Sequence, residues 1–585
     1  MKLCAIRLCV LAFACLALGA SVAVADEPKK DPVTLAKEAA ESATVQADSA
    51  WMLISSALVL LMVPGLALFY GGMVRRKNVL ATMMQSMVCL AVVGVYWVAI
   101  GYALAFGDPW ITFGDKKSLL GFSSSLLFLR DVQPDTMLPG SNIPVYLHVM
   151  FQGMFAIITP ALISGAIAER IRFRPYCIFL LLWVTFVYCP LAHCVWAQDW
   201  HWADLLSGKS LPDKAGESAV GILGGYMGAL DFAGGTVVHI AAGLSSLAAI
   251  LVLRRRLGYP EQVIHPNSMV LTLTGAGILW FGWFGFNGGS AVKSGPLAVS
   301  AFTATHIAAA AAALSWMLVE WLHRGKPTAL GFASGLVAGL VAVTPASGFV
   351  LPWGGLVIGI LAGVVCYGSV FAKSLFKYDD SLDAFGVHGV GGFLGAVLTG
   401  VFCVHMKADV NSTSVDGLIR GRPEQVLYQF VAAVASAVLA FAVSLVLVKV
   451  IDVVMGFVSA DADEVEGLDR TEHGEVGFDL GLAMESVSAH AALEPRAAVV
   501  PPLGKGRFQV VVEGAQNGDL IHAWSEMCQP TGSCPPEFKA VYPYVTTVQG
   551  NRFQFRGGDR ETMKDNLQRL FQERLKRPVK ARLEA

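Results

Sequence analysis

Between Trp51 and Ile451 the chain passes through long runs that contain no Asp, Glu, Lys or Arg. A hydrocarbon core of about 30 Å is crossed by roughly 20 helical residues. Lipid offers no partner to an open backbone, so such runs admit a helical bundle and little else. The spacing predicts spans near 51–73, 79–106, 145–168, 175–197, 230–253, 268–288, 299–321, 328–343, 351–374, 384–404 and 427–450. From Pro327 to Ala372 there is no charge at all, yet the stretch is about twice one span; the turn that divides it is "TPASG", 344–348. Only 15 % of the 585 residues are charged, against about a quarter in soluble domains. A net charge of −1 supplies no basic field for nucleic acid.

The loops set the orientation. Basic residues gather after the odd spans, at Arg75-Arg76-Lys77, Arg170/Arg172/Arg174, Arg254-Arg255-Arg256, Arg324/Lys326 and Lys373/Lys377. The positive-inside rule then puts the mature N-terminus outside and the C-terminus in the cytoplasm, which takes an odd number of spans, about eleven. The first 25 residues agree. Lys2 and Arg7, the apolar "LCVLAFACLALGA" and the Ala23-Val24-Ala25 cleavage pattern make a signal peptide. Residues 26–50 are a short segment on the outer side. Three of the eleven cysteines, Cys4, Cys9 and Cys15, leave with the signal peptide, and the scatter of the rest implies no disulfide framework. Cys528 and Cys534 read as plain thiols. No nucleophile or metal constellation marks an enzyme, and no cofactor is implied.

Beyond the membrane part (51–456) come an acidic tail and a linker (457–504), "SADADEVEGLDRTEHGE" and then a stretch with Pro501-Pro502 and Gly504. From 505 to 585 the pattern is that of a small soluble domain. "RFQVVVEG" alternates as a strand, "GDLIHAWSEMCQ" has helical spacing, and two strands flank Gly550-Asn551. "DRETMKDNLQRLFQERLKR" is an amphipathic helix capped by Asp559, and "VKARLEA" is a last strand. The order βαββαβ is that of a ferredoxin-like α+β domain.

Two histidines stand inside spans, each a few residues after an Asp: His239 in "DFAGGTVVHIAAG" and His388 in "DAFGVHGVGG". An ionisable ring at membrane depth must be paired or line a cavity. His239 falls in the fifth span and His388 in the tenth, the spacing of a duplicated five-helix unit. Units with an odd number of spans lie inverted, with the pathway between them. Two neutral imidazoles offer a mixed donor and acceptor lining, suited to a small polar molecule. Aromatics in "MFQGMF", "AHCVW" and "GWFGFNGGS", with Ser290, can form a cation–π cage.

The motifs "PGLALFYGGMVRRKNVL", "FQGMFAIIT", "GAIAERIRF", "LDFAGGTVVHIAAG", "GWFGFNGGSA", "VTPASG", "DAFGVHGVGG" and "EGLDRTEHGE" occur in this order. Over about residues 50–476 the chain resembles the ammonium transporter (Amt/Mep/Rh) family. The resemblance implies an all-α polytopic fold of eleven spans with an inverted five-helix repeat, a homotrimer and one pore per subunit. Phe155 and Phe286 resemble the stacked pair that closes the outer pore, and His239 with His388 the twin histidines at its centre. Phe151, Trp196 and Ser290 resemble the outer ammonium-recruiting site, with Asp231 shaping it; Trp283, Asn287 and Thr344 match supporting positions. Trp196 and Ser290 point to the Amt branch. Gly467, Asp469, His473, Gly474 and Glu475 resemble the cytoplasmic segment that couples subunits. The implied partners are ammonium or ammonia, the lipid bilayer and a PII-type regulator at the cytoplasmic face, without nucleic acid. The outer loop 197–229 is longer than the family's usual one. It reads as a roof over the vestibule, with Trp200, His201 and Trp202 set apart from the site. The domain at 505–585 lies outside the family core and leaves an alternative open, an ammonium sensor.

Overall fold

The computed structural model describes residues 31–478, except 115–116, 210, 212–220 and 262–263. It also describes 508–515, 519–520, 523–524, 541–549, 551–555 and 559–584. The signal peptide, most of the linker, Cys528, Cys534 and Gly550 lie outside the described residues.

Eleven helices form the first unit: α1 (Pro32–Met73), α2 (Arg76–Phe106), α3 (Val145–Ile167), α4 (Phe173–Trp196), α5 (Gly235–Val252), α6 (Met269–Gly289), α7 (Pro296–Arg324), α8 (Ala329–Val343), α9 (Pro352–Phe376), α10 (Phe385–Phe402) and α11 (Glu424–Met455). Ten are long and apolar enough to cross a membrane, and α8, with 15 residues, is shorter. Its buried residues run almost unbroken from Gly331 to Val343, so it is sheathed in protein and need not match the lipid thickness. The helix α1 has 42 residues, about 63 Å, twice what the bilayer needs. Residues 32–50 are thus a helical extension. Asp48, near its foot, is buried and accepts from the Ser294 amide at 2.8 Å and the Asn142 side chain at 3.1 Å.

The two five-helix halves, α1–α5 and α6–α10, meet where α5 crosses α10. A Cβ on Gly243 would overlap the backbone of Gly389, and one on Gly392 would lie 2.9 Å from the His239 Cβ. Gly243 is four residues after His239 and packs on the residue after His388. Gly392 is four residues after His388 and packs on His239 and Ile240. The crossing therefore repeats under a two-fold operation. In lipid, where close backbone approach drives association, these glycines set the distance between the histidines.

Between α2 and α3, β1 (Pro109–Phe113) and β2 (Lys117–Gly121) form an antiparallel hairpin. The C-terminal unit has a four-stranded antiparallel sheet of β3 (Phe508–Glu513), β4 (Val545–Gln549), β5 (Arg552–Phe555) and β6 (Lys580–Glu584), in the order β4-β5-β3-β6. That strand order fits the ferredoxin-like expectation; most of the first helix expected in "GDLIHAWSEMCQ" lies outside the described residues. Helix α12 (Arg560–Leu575) is capped by Asp559, which accepts from the Thr562 amide at 3.0 Å. Its Leu567, Leu570 and Phe571 share a core with Val510 and Phe553.

Candidate functional site

Both histidines sit in π-turns, His239 in Gly235–Ile240 and His388 in Phe385–Gly389, each opening its helix. Such widened turns are frequent at functional sites. Each turn begins at a buried Asp. The Asp231 carboxylate accepts from the amides of Gly234 at 2.8 Å, Gly235 at 2.6 Å and Thr236 at 2.8 Å, and from the Thr236 hydroxyl. Gly234, at φ +115°, makes the turn that brings these amides together. In α10 the matching group is Asp380, which accepts from the amides of Ala384 at 3.0 Å and Phe385 at 2.8 Å. Asp231 and Asp380 each precede their histidine by eight residues. The Asp383 that opens the sequence motif instead pairs with Lys373. The equal eight-residue offset was the signal for Asp380 in the sequence.

At one end of the bundle the site begins with a vestibule of about 840 Å³ lined by Trp196, Asp231, Ser290 and Phe155 among others. Trp196 donates from its indole N–H to the Asp231 carbonyl at 2.8 Å, and the Ser290 hydroxyl donates to the Phe286 carbonyl at 2.8 Å. Asp231, its carboxylate already filled, shapes this wall through the backbone. Phe151 is fully buried and lies behind the vestibule, with its ring 5.0 Å from that of Phe155. Trp200, which the sequence reading set apart from the site, lines the cavity, whereas its neighbour Trp202 is wholly buried.

Phe155 and Phe286 face each other at 4.3 Å between centroids, with 37° between planes; Phe155 lines the vestibule and Phe286 the small cavity beside His239. Below them the His239 ring stacks on Trp283 at 5.4 Å and on His388 at 5.3 Å. The two Nδ1 atoms are 3.3 Å apart. One must donate and the other accept, so at least one imidazole carries its proton on Nδ1. The histidine that accepts at Nδ1 then carries its proton on Nε2. The His239 Nε2 is buried with no partner among the described residues. It borders a cavity of about 10 Å³ lined by apolar side chains such as Leu66, Ile158, Leu162 and Val337, at the lower limit for one water. A second space of about 10 Å³ continues past His388 to Tyr70 and Asp383. Trp283 is held by the Thr344 hydroxyl at 2.9 Å, and Asn287 by Thr305 at 2.9 Å.

The family model described as "Ammonium Transporter Family" matches residues 50–478. The chain is similar to an ammonium transporter of Bacillus subtilis, 42 % identical over 432 residues, 74 % of this chain and 98 % of the relative. In structure it is similar to Saccharomyces cerevisiae Mep2 (TM-score 0.62, 34 % identity, 71 % of this chain and 88 % of that one). It is also similar to a "Sensor Amt Protein" (TM-score 0.63, 26 % identity, 74 % of this chain and 100 % of that one).

The chain belongs to the ammonium transporter family.

It is a multi-pass membrane transporter and not an enzyme. In this ammonium transporter the end of the bundle opposite the vestibule holds a charge network that composition did not reveal. Glu169 is buried and accepts from the Arg75 amide at 2.7 Å, the Asn78 side chain at 3.0 Å and Arg256 at 2.9 Å. Asp379 accepts from Arg256 and Arg170, both buried. Two arginines that count as loop charges in the orientation argument are therefore interior partners. Burial pushes the Glu169 carboxyl up, but Arg256 and Arg75 outweigh it and hold it below the usual carboxylate range. Asp379 is likewise held low, its burial outweighed by its hydrogen bond from Arg256 and the charge of Arg170.

The tail segment 457–478 packs on this end. Asp469 accepts from the Ala81 amide at 2.8 Å, and the His473 ring meets Phe173 at 4.9 Å. The Glu475 amide donates to the Asp469 carbonyl at 3.1 Å. Gly467 (φ +115°) leaves room for Lys77, whose Cβ would stand 2.6 Å from an added methyl, and Gly474 (φ +69°) ends the short helix Leu468–His473. Glu464 reaches Arg254 at 2.7 Å and Arg75 at 3.3 Å.

Proposed function

We propose that the chain recruits ammonium at the outer aromatic wall, strips its proton and conducts ammonia past Phe155 and Phe286 along the His239–His388 pair. The observation that carries this reading is the unpartnered His239 Nε2 beside a nearly dry apolar cavity. A cation at membrane centre costs on the order of 3 kcal/mol on insertion scales and 10 or more on an isolated helix. No carboxylate lines the space between His239 and the gate, so an ion gains nothing there, whereas ammonia can hydrogen-bond to imidazole. Potassium has no proton to lose and is rejected. The test is ammonium-elicited current in proteoliposomes of the full chain: His239→Ala and His388→Ala should each lose selective ammonium transport, and normal rate and selectivity in both would make the pair structural.

The basic odd loops favour an external mature N-terminus and a cytoplasmic C-terminus in the inner membrane. His306, exposed on the outer face of α7 about ten residues inside the helix, is poorly suited to lipid. Burying it against another copy would remove it from lipid, and on that ground we read the chain as a homotrimer. A PII-type regulator is proposed for the cytoplasmic face that carries the tail. The sensor alternative rests on the extra C-terminal unit; the intact gate and histidine pair favour transport.

A further inference from the structure

The vestibule wall contributed by the long outer loop is a polar and aromatic surface that the recruiting site leaves unused. Trp202 anchors it, donating from its indole to the Phe106 carbonyl at 2.6 Å and from its amide to Asp108 at 2.9 Å. On that anchor Trp200 packs at 5.5 Å, and its ring stands 5.4 Å from His148 and 6.0 Å from Phe106. Tyr102 fixes the His148 ring through Nδ1 at 2.9 Å. Gln152 lies one helical turn further in on α3, and Phe155 of the gate follows three residues later. All four of Phe106, His148, Gln152 and Trp200 line the same cavity.

Two polar atoms on this wall are buried and unsatisfied among the described residues, the Gln152 Oε1 and the Trp200 Nε1. Trp200 is only 4 % exposed. A buried polar group without a partner is costly to keep, so a pair of them on side chains that line a water-accessible cavity marks a place for a ligand with its own hydrogen-bonding groups. The charged side chains in the cavity lining are Asp231, filled by its own turn, and Lys293. Net charge therefore does not attract a cation here. Ring faces and neutral acceptors can, for a cation that carries N–H donors.

We propose that Phe106, His148, Gln152 and Trp200 form a second ammonium station in the outer vestibule, about one to two helical turns outward of the Phe gate. There Gln152 Oε1 accepts from a partly hydrated ammonium, or from a small alkylammonium, lying against the Phe106 and Trp200 rings. A retained water takes the Trp200 N–H. The station feeds the Trp196–Ser290 site and so rests on the transport reading for its purpose, though not for its binding.

The test uses the full chain in two arms. The first measures current in proteoliposomes against ammonium chloride concentration, and the second equilibrium binding of labelled methylammonium in nanodiscs. Gln152→Leu and Trp200→Leu should raise KM and weaken binding about three- to tenfold, the worth of one such hydrogen bond or ring contact. Maximal current should change much less. Gln152→Glu keeps the shape, adds a charge and should lower KM. Unchanged KM and binding in both Gln152 variants overturn the station. A fall in maximal current at unchanged KM overturns it too, because the residues would then serve the scaffold. If the wild-type chain carries no ammonium current, the transport reading fails by itself. The station then stands or falls on whether Gln152→Leu weakens methylammonium binding.

Discussion

The Nδ1–Nδ1 contact of 3.3 Å between His239 and His388 fixes the tautomers of the pair against each other. A proton taken up by one ring must therefore be answered by the other. Replacing His388 by Ala leaves His239 without that partner, and ammonium current should fall about tenfold or more while potassium exclusion weakens; current ratios at equal ammonium and potassium check both. At the end of the bundle opposite the vestibule, Glu169 and Asp379 are held below their unfolded values. The stability they add is complete above those values, near pH 4, and is lost as pH falls through the still lower folded ones. Thermal unfolding in detergent should be flat from pH 8 to about 5 and decline below about pH 4. Glu169→Gln removes one of the two carboxylates that each of Arg75 and Arg256 meets and should cost about 1–3 kcal/mol at neutral pH, with a shallower acid decline. The histidines could be found in the sequence because a titratable ring among apolar neighbours is conspicuous. Glu169 and Arg256 could not, because a charge beside a span looks the same whether solvent or another side chain meets it.

Between single residues and the bundle lies the crossing of α5 and α10. Gly243 and Gly392 allow the backbones to touch, and the two π-turns, each hung on a buried Asp, rotate their histidines into the gap. Gly243→Val should part the helices, destabilising the protein by about 1–3 kcal/mol or more and abolishing ammonium current. Gly277→Ala, in α6 where no atom lies within 4 Å of the added methyl, is the control and should change neither. Melting temperatures and currents of the two variants decide between a distance-setting role and generic small-residue packing. The spans and their order were readable from charge-free runs. The π-turns were not, since a widened turn is fixed by which amides find an acceptor, and hydropathy is blind to that. The helical form of residues 32–50 was also beyond the pattern, as the notable polar residue there, Asp48, is satisfied by Ser294 and Asn142 far along the chain.

At the scale of the whole chain, two units follow one another, 1–479 and 480–585. The family match ends at 478, where the tail has finished packing on the bundle, so the tail belongs to the transporter. Deleting 505–585 should leave ammonium current within about twofold of the full chain, because the pore residues all lie before 400. Asp469→Ala, which frees the tail from the Ala81 amide, should by contrast reduce it. Steady-state currents normalised to protein in the membrane distinguish the two, and loss of current on deletion would make the C-terminal unit part of the transporter's working state. By itself the sequence determined the solvent, the number and order of helices, the paired histidines and the ferredoxin-like order of the C-terminal strands. Those depend on local hydropathy, spacing and residue type. Only the tertiary structure decided that Asp380 rather than Asp383 answers Asp231, that Phe151 lies behind the vestibule, and that Trp200 of the outer loop lines it. Each of these turns on which distant atom fills a hydrogen bond or a void, and contacts between residues far apart in the chain leave no period in the sequence.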